Sequence, residues 1–194
     1  MAISVEDIKK LRESTGAGMM KAKEALEAAN GDFDKAVQWL REKGEASAAK
    51  KAEREARAGV IEGYVHSGRI GVLVEINCET DFVARTDDFK QFARDIAMHV
   101  AAANPEYLRP EDVPAEVVAA EKAIYSKEAE GKPAAVAEKI VDGKLAKYYE
   151  QVCLVNQPFV KDPDVSVAKL TTNLVAKLGE NIVIRRFERM ELGA

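Results

Sequence analysis

The sequence predicts an α+β protein with an N-terminal three-helix bundle, a helical linker, and then an antiparallel three-stranded sheet packed with helices. Three observations carry that prediction. Apolar residues recur at helical spacing through the first forty positions. Between Glu45 and Gly59 the chain holds six alanines and seven charges but no large apolar side chain. From Val60 the apolar period drops to two, and helical spacing then returns. The boundaries that follow are 1–44 for the bundle, 45–59 for the linker and 60–194 for the α+β core.

Each element has a local reason. Ser4 caps the first helix, Asp7 supports the cap, and Val5, Ile8 and Leu11 mark one face. Ser14-Thr15-Gly16-Ala17-Gly18 stops it, because glycine tolerates the backbone that ends a helix. The second helix, from about Met19 to Ala29, sets Ala22, Ala25, Leu26 and Ala29 at helical spacing. Asn30-Gly31 ends that helix and Asp32 caps a third, striped by Phe33, Ala36, Val37 and Leu40. Three helices in forty residues make a marginal core unless they dock on something. The Ala-, Glu-, Lys- and Arg-rich linker favours helix and offers no face to bury, so it reads as a solvated spacer.

Val60–His66 and Ile70–Cys78 read as a hairpin turned at Ser67-Gly68, with Ile70, Val72, Val74, Ile76 and Cys78 on one face. Thr86 caps a helix striped by Phe89, Phe92, Ala93, Ile96, Val100 and Ala103. The prolines between Asn104 and Pro114 mark a loop. Two helices follow, to about Glu130 and from Ala134 to Val152. The stretch from Asn156 to Pro163 is a bounded loop. A last helix carries Val167, Leu170, Leu174, Val175 and Leu178 and closes at Gly179. Ile182–Phe187 is the final strand, expected beside the hairpin.

Composition excludes several classes. The apolar fraction of 47% is enough for a core, so disorder throughout is excluded. No window approaches the ~18 to 20 uncharged apolar residues of a membrane span. Lys9, Lys10 and Arg12 interrupt any apolar leader, so a soluble cytosolic protein is expected. Two cysteines, Cys78 and Cys153, do not make a disulfide scaffold. A net charge of -4 argues against direct nucleic-acid binding.

Enzyme chemistry is missing too. His66 and His99 are the two histidines, and His99 falls beside a buried stripe, where a packed imidazole is the simpler reading. Cys78 lies on the apolar face of a strand with no basic group placed to lower its pKa, so a structural thiol is expected. No zinc spacing, nucleophile elbow, phosphate loop or dinucleotide fingerprint is present, so no cofactor or metal is expected.

Three segments look made for contact. Met19-Met20 opens a helix after a glycine-rich turn. Adjacent helical residues point about 100° apart, so both filling a tiny core and one meeting a partner's groove are open readings. In Thr80-Asp81-Phe82-Val83, Phe82 either folds under the following helix or projects as an aromatic anchor. Gln157-Pro158-Phe159-Val160 either covers the sheet or makes a second contact.

Together these segments resemble a known family. Leu11-Arg12-Glu13-Ser14-Thr15-Gly16-Ala17-Gly18-Met19-Met20 and Cys78-Glu79-Thr80-Asp81-Phe82-Val83-Ala84 are similar to the two signatures of bacterial translation elongation factor Ts. Gln157-Pro158-Phe159-Val160-Lys161-Asp162 matches a third segment, and order and spacing fit over essentially the whole chain. The resemblance implies a guanine nucleotide exchange factor for elongation factor Tu. It implies a ubiquitin-associated-like bundle docking on the GTPase domain through Leu11, Met19, Met20 and Lys23. It also implies an exchange wedge made by Thr80, Asp81, Phe82 and Val83, with Phe82 entering between two helices near the magnesium and phosphate site.

Longer members of that family carry a duplicated core half and a coiled-coil insertion. One core unit is visible here, which invites a homodimer that supplies the missing half. The alternatives are a generic interaction module and an enzyme built on Asp81, Asp87 and Asp88. Those carboxylates are better explained by their places near a helix N-terminus.

Overall fold

The computed structural model describes residues 3–194. Its elements in chain order are α1 (Val5–Thr15), α2 (Met19–Ala28), α3 (Phe33–Lys51), β1 (Ala58–His66), β2 (Ile70–Cys78), α4 (Asp81–Ala84), α5 (Asp87–Ala103), α6 (Ala115–Glu128), α7 (Ala134–Val152), β3 (Pro158–Phe159), β4 (Asp162–Ser166), α8 (Val167–Leu178) and β5 (Ile182–Glu191). The class is α+β. An antiparallel three-stranded sheet runs in the order β1-β2-β5, and β3 and β4 form a small antiparallel pair.

The chain divides into two compact units. The first contains the residues up to Ile61, Glu75–Phe92 and Lys169–Arg185; the second contains Glu62–Val74, Ala93–Ala168 and Arg186–Ala194.

In the first unit the bundle follows its caps. Ser4 accepts the Asp7 amide at 3.0 Å and Asp32 accepts the Lys35 amide at 3.0 Å. Gly16 ends α1 at φ +67, with its N–H bonded to the Arg12 carbonyl. Ile8, Leu11, Ala22, Ala25, Leu26, Ala29 and Ala36 form the bundle's small core, edged by Phe33, Trp39 and Leu40. The third helix continues into the segment read as a helical linker. It runs on to Lys51, because the alanine-rich segment is itself a good helix former. Ile76, Cys78, Phe89, Phe92, Leu174, Val175, Ile182 and Ile184 are the other large buried groups of this unit.

The expected hairpin forms, with Ser67 (φ +50) and Gly68 (φ +68) as its two-residue turn. Val72, Val74, Ile76 and Cys78 alternate into the interior. Gly59 has no substitute: at φ +148, a Cβ there would lie 2.1 Å from the Ile76 carbonyl oxygen.

In the second unit, α6 and α7 form an antiparallel helical hairpin. Its base is packed by Val113, Val152 and Cys153 with Tyr107, Val117, Val118, Tyr148 and Tyr149. The 156–163 stretch, expected as a loop, contains β3 and the start of β4; two apolar residues around a tight turn suffice to pair short strands.

Candidate partner-binding site

The second motif begins where β2 ends. Thr80 is extended (φ -128, ψ 155) and caps α4, its Oγ1 accepting the Val83 N–H at 3.4 Å. A four-residue helix cannot sustain itself, since nucleation costs more than so few bonds return. Its support comes from 100 residues away. Glu180 Oε2 accepts the backbone N–H of Glu79 at 3.1 Å and of Thr80 at 3.0 Å. Glu180 Oε1 accepts the Thr80 hydroxyl at 2.7 Å. With its proton engaged there, Thr80 Oγ1 presents a lone pair to Val83. In return, Glu79 Oε1 accepts the Asn181 N–H at 2.7 Å, and Arg54 Nη1 lies 3.5 Å from the same oxygen.

Phe82 on this turn is 79% exposed. Of the two placements open to it, the structure adopts the projecting one. Ala84 is the residue of α4 that turns inward, and two helical steps place Phe82 about 200° around from it. Val83 is half-buried. Asp81 pairs with Arg85 at 2.6 Å, and both remain exposed, so the pair adds little stability. Asp88 pairs with Lys177 at 2.6 Å. Thr86 caps α5 by accepting the Phe89 amide at 3.3 Å.

Cys78 is buried beneath the turn and donates its thiol to the Thr80 carbonyl at 3.1 Å. Burial first, and then the nearby Glu180 carboxylate, push that thiol up to about 11. Such a group is a structural thiol and no nucleophile. Cys153 is likewise raised to about 11, chiefly by burial. Among the described residues no group of three or more His, Cys, Asp or Glu could hold a metal ion.

On the bundle, Met20 is 69% exposed and Met19 41%. Lys23 follows one turn later on the same face and pairs weakly with Glu27 at 3.6 Å. Leu11 does not belong to this surface. Its side chain is fully buried among the three helices, so it can act only by holding α1 against α2.

The third motif turns inward. Gln157 is buried and its Oε1 lies 2.9 Å from His99 Nε2, while its own Nε2 donates to the Gln151 carbonyl at 2.8 Å. The Val160 N–H donates to His99 Nδ1 at 3.3 Å. Since Nδ1 accepts, Nε2 must carry the proton, which assigns the neutral tautomer. Burial depresses the His99 pKa, and the bond to Gln157 opposes this only in part. Phe159 packs 5.9 Å from the imidazole. Gln157 and Phe159 are therefore structural; Val160, 40% exposed, is the member that faces outward.

The family model described as "Elongation factor TS" matches residues 4–173, a span that holds all three motifs. The chain belongs to the elongation factor Ts family. Curated relatives named "Elongation factor Ts" agree along nearly the whole length. The one from Carboxydothermus hydrogenoformans is 62% identical over 98% of this chain and 89% of its own. The one from Thermodesulfovibrio yellowstonii is 55% identical over 100% and 98%, and that from Syntrophus aciditrophicus is 54% identical over 100% and 98%. Elongation factor Ts proteins are translation elongation factors, and this family places the chain among them. No helix of the described residues is long and apolar enough to cross a membrane.

Sequence reading missed Glu180 and Asn181. A signal was present: Glu180 sits just past the end of α8, where the helix dipole disfavours a carboxylate. An anion kept at an unfavourable place is bound to something else.

Proposed function

We propose that this protein is a guanine nucleotide exchange factor for elongation factor Tu, promoting GDP release by disturbing the magnesium and phosphate site. The observation that carries the proposal is a phenylalanine held 79% in solvent on a capped, externally braced turn. Exposing a large aromatic group lowers a free protein's solubility and earns no stability, so its use lies in a complex. Family membership supports elongation factor Tu as the partner.

The action needs no chemistry of its own, and the protein is not an enzyme in the bond-making sense. Magnesium demands near-ideal octahedral geometry, so a small displacement of the elements that hold it weakens nucleotide binding. Thr80, Asp81, Phe82 and Val83 form the wedge. Met19, Met20 and Lys23, on the 1–44 module, dock on the GTPase domain. The wedge must bind the nucleotide-free state better, because equal affinity for both states shifts nothing. By linkage, GTP then weakens the complex in return, and the factor leaves. The setting is the cytoplasm, with no direct contact to nucleic acid.

The proposal extends to a homodimer formed through the outer face of the sheet. Ile61, Gly63 and Val65 alternate onto one face of β1, and a Cβ on Gly63 would meet the Leu73 side chain of β2 at 3.3 Å. Ile61, Val65 and Leu73 are 68%, 69% and 55% exposed. A second copy offers the matching apolar face. Light scattering at micromolar concentration should give twice the chain mass for the wild type and one chain mass for Leu73→Arg; a monomeric wild type overturns the dimer.

The test of exchange is the release of a fluorescent GDP from elongation factor Tu, with wild type and with Phe82→Ala. Acceleration that is largely lost in the variant supports both activity and wedge. Acceleration retained in full by the variant moves the mechanism off Phe82. No acceleration by the wild type, with binding intact, overturns the exchange reading.

A further inference from the structure

We infer that Glu180 and Asn181, in the turn between α8 and β5, are positioning residues that hold the Phe82 turn and the bundle in one preset geometry. The inference rests on the exchange reading for its functional half.

The physical problem is the isolation of α4. It is four residues long, and its most exposed member, Phe82, is 79% in solvent. Without outside help such a turn frays, and Phe82 samples many directions. Glu180 answers this with three convergent bonds, from two backbone amides and one hydroxyl, all to one carboxylate. Bonds to an ionised acceptor are the stronger kind, and three to one group fix orientation as well as distance.

Asn181 extends the brace in the other direction. Only 6% exposed, it gives its backbone N–H to Glu79 and its side-chain amide to the carbonyls of Arg54 (2.8 Å) and Ala52 (3.4 Å). Ala52 caps the C-terminus of α3, the helix that closes the bundle behind Met19 and Met20. The bundle is tied to α8 itself at three further points. Lys21 Nζ donates to the Ala176 carbonyl at 2.8 Å, Lys169 pairs with Glu45 at 2.5 Å, and Gly44 is buried where a Cβ would come within 3.2 Å of Ala176 Cβ. Two adjacent residues therefore meet both contact elements. Holding them in register makes the second contact with a partner intramolecular and lowers the ordering cost of forming it.

The experiment uses the full chain as Glu180→Ala, Glu180→Gln and Asn181→Ala, with Glu180→Ala also built on Phe82→Ala. Two readouts are taken: amide hydrogen exchange of the free protein, and GDP release from elongation factor Tu across factor concentrations, giving a maximal rate and a half-saturating concentration. Glu180→Ala should speed amide exchange at residues 80–84 while leaving β2 protected. It should lower the maximal release rate roughly tenfold, the loss expected for charge-assisted bonds, with little change in half-saturating concentration. On the Phe82→Ala background it should cost nothing more, and Glu180→Gln, which keeps one oxygen acceptor, should fall between. Asn181→Ala should instead raise the half-saturating concentration and spare the maximal rate.

A folded Glu180→Ala with unchanged exchange at 80–84 overturns the inference. So does a loss of rate that is equally large with and without Phe82, since that marks a general structural effect. If Glu180→Ala melts below the assay temperature, Glu180→Gln carries the same expectations at reduced size, since it removes the charge and one acceptor oxygen while leaving the Thr80 cap in place. If wild type does not speed GDP release, the exchange reading falls by itself. The amide measurement then still judges the brace, which stands if 80–84 loosen and falls if they do not.

Discussion

Replacing His99 by Gln should remove an acid-induced loss of stability that the wild type shows between pH 7.5 and 5.5. His99 is fully buried, with Nδ1 accepting from Val160 and Nε2 donating to Gln157. A proton added at Nδ1 would face the Val160 N–H, donor against donor, and would place a charge in the interior. Burial accordingly holds the folded imidazole below its ordinary value of 6.5. Above that value both folded and unfolded states are neutral, and the histidine's full contribution is present. As pH falls below about 6.5 the unfolded chain takes up a proton that the folded chain refuses, and stability drops. The slope is at most about 1.4 kcal/mol per pH unit and levels off once the folded imidazole itself titrates. One unit below 6.5 the loss is therefore up to about 1.4 kcal/mol, or roughly 3–6 °C in a protein of this size. The assay is thermal unfolding of wild type and His99→Gln at both pH values. The carboxylates titrate alike in the two proteins, so the difference between their drops isolates His99. Equal drops, or a larger one in the variant, would refute the reasoning.

Three further outcomes are expected. Phe82→Ala should change the melting temperature of the free protein little, because the ring is in solvent, yet slow GDP release about 10- to 100-fold, as burial worth roughly 1.5 to 3 kcal/mol implies; a destabilised variant would show that the ring packs after all. Gly59→Ala should destabilise by about 3 kcal/mol or more in denaturant unfolding, since its Cβ would overlap the Ile76 carbonyl and its φ of +148 suits glycine alone; a shift under about 1 kcal/mol would deny the close approach. Met20→Ala should weaken partner affinity in calorimetry without loss of stability, whereas Leu11→Ala should lose about 2–5 kcal/mol of stability by leaving a cavity; the reverse pattern would contradict the placement of the two side chains.

Periodicity and capping alone specified most of the architecture. The bundle, the hairpin with its Ser67-Gly68 turn, the Thr86-capped α5 and the α6–α7 pair follow from signals that act within four residues along the chain. The same signals drew attention to Met19, Met20 and Phe82, because apolar residues beside glycines or charges break a pattern. They could not say which way Phe82 points. That depended on the inward turn of Ala84 and on a carboxylate that meets Thr80 from 100 positions along the chain. Nor could they separate the exposed Met20 from the buried Leu11, which sit in one motif but on different sides of a core. Gln157 paired with His99 across 58 positions, and Asn181 with Glu79 across 102, for the same reason. Local sequence sets backbone preference and the period of burial. The partner of a buried polar group is set by which segments the fold brings within 3 Å, and only the tertiary structure decides that.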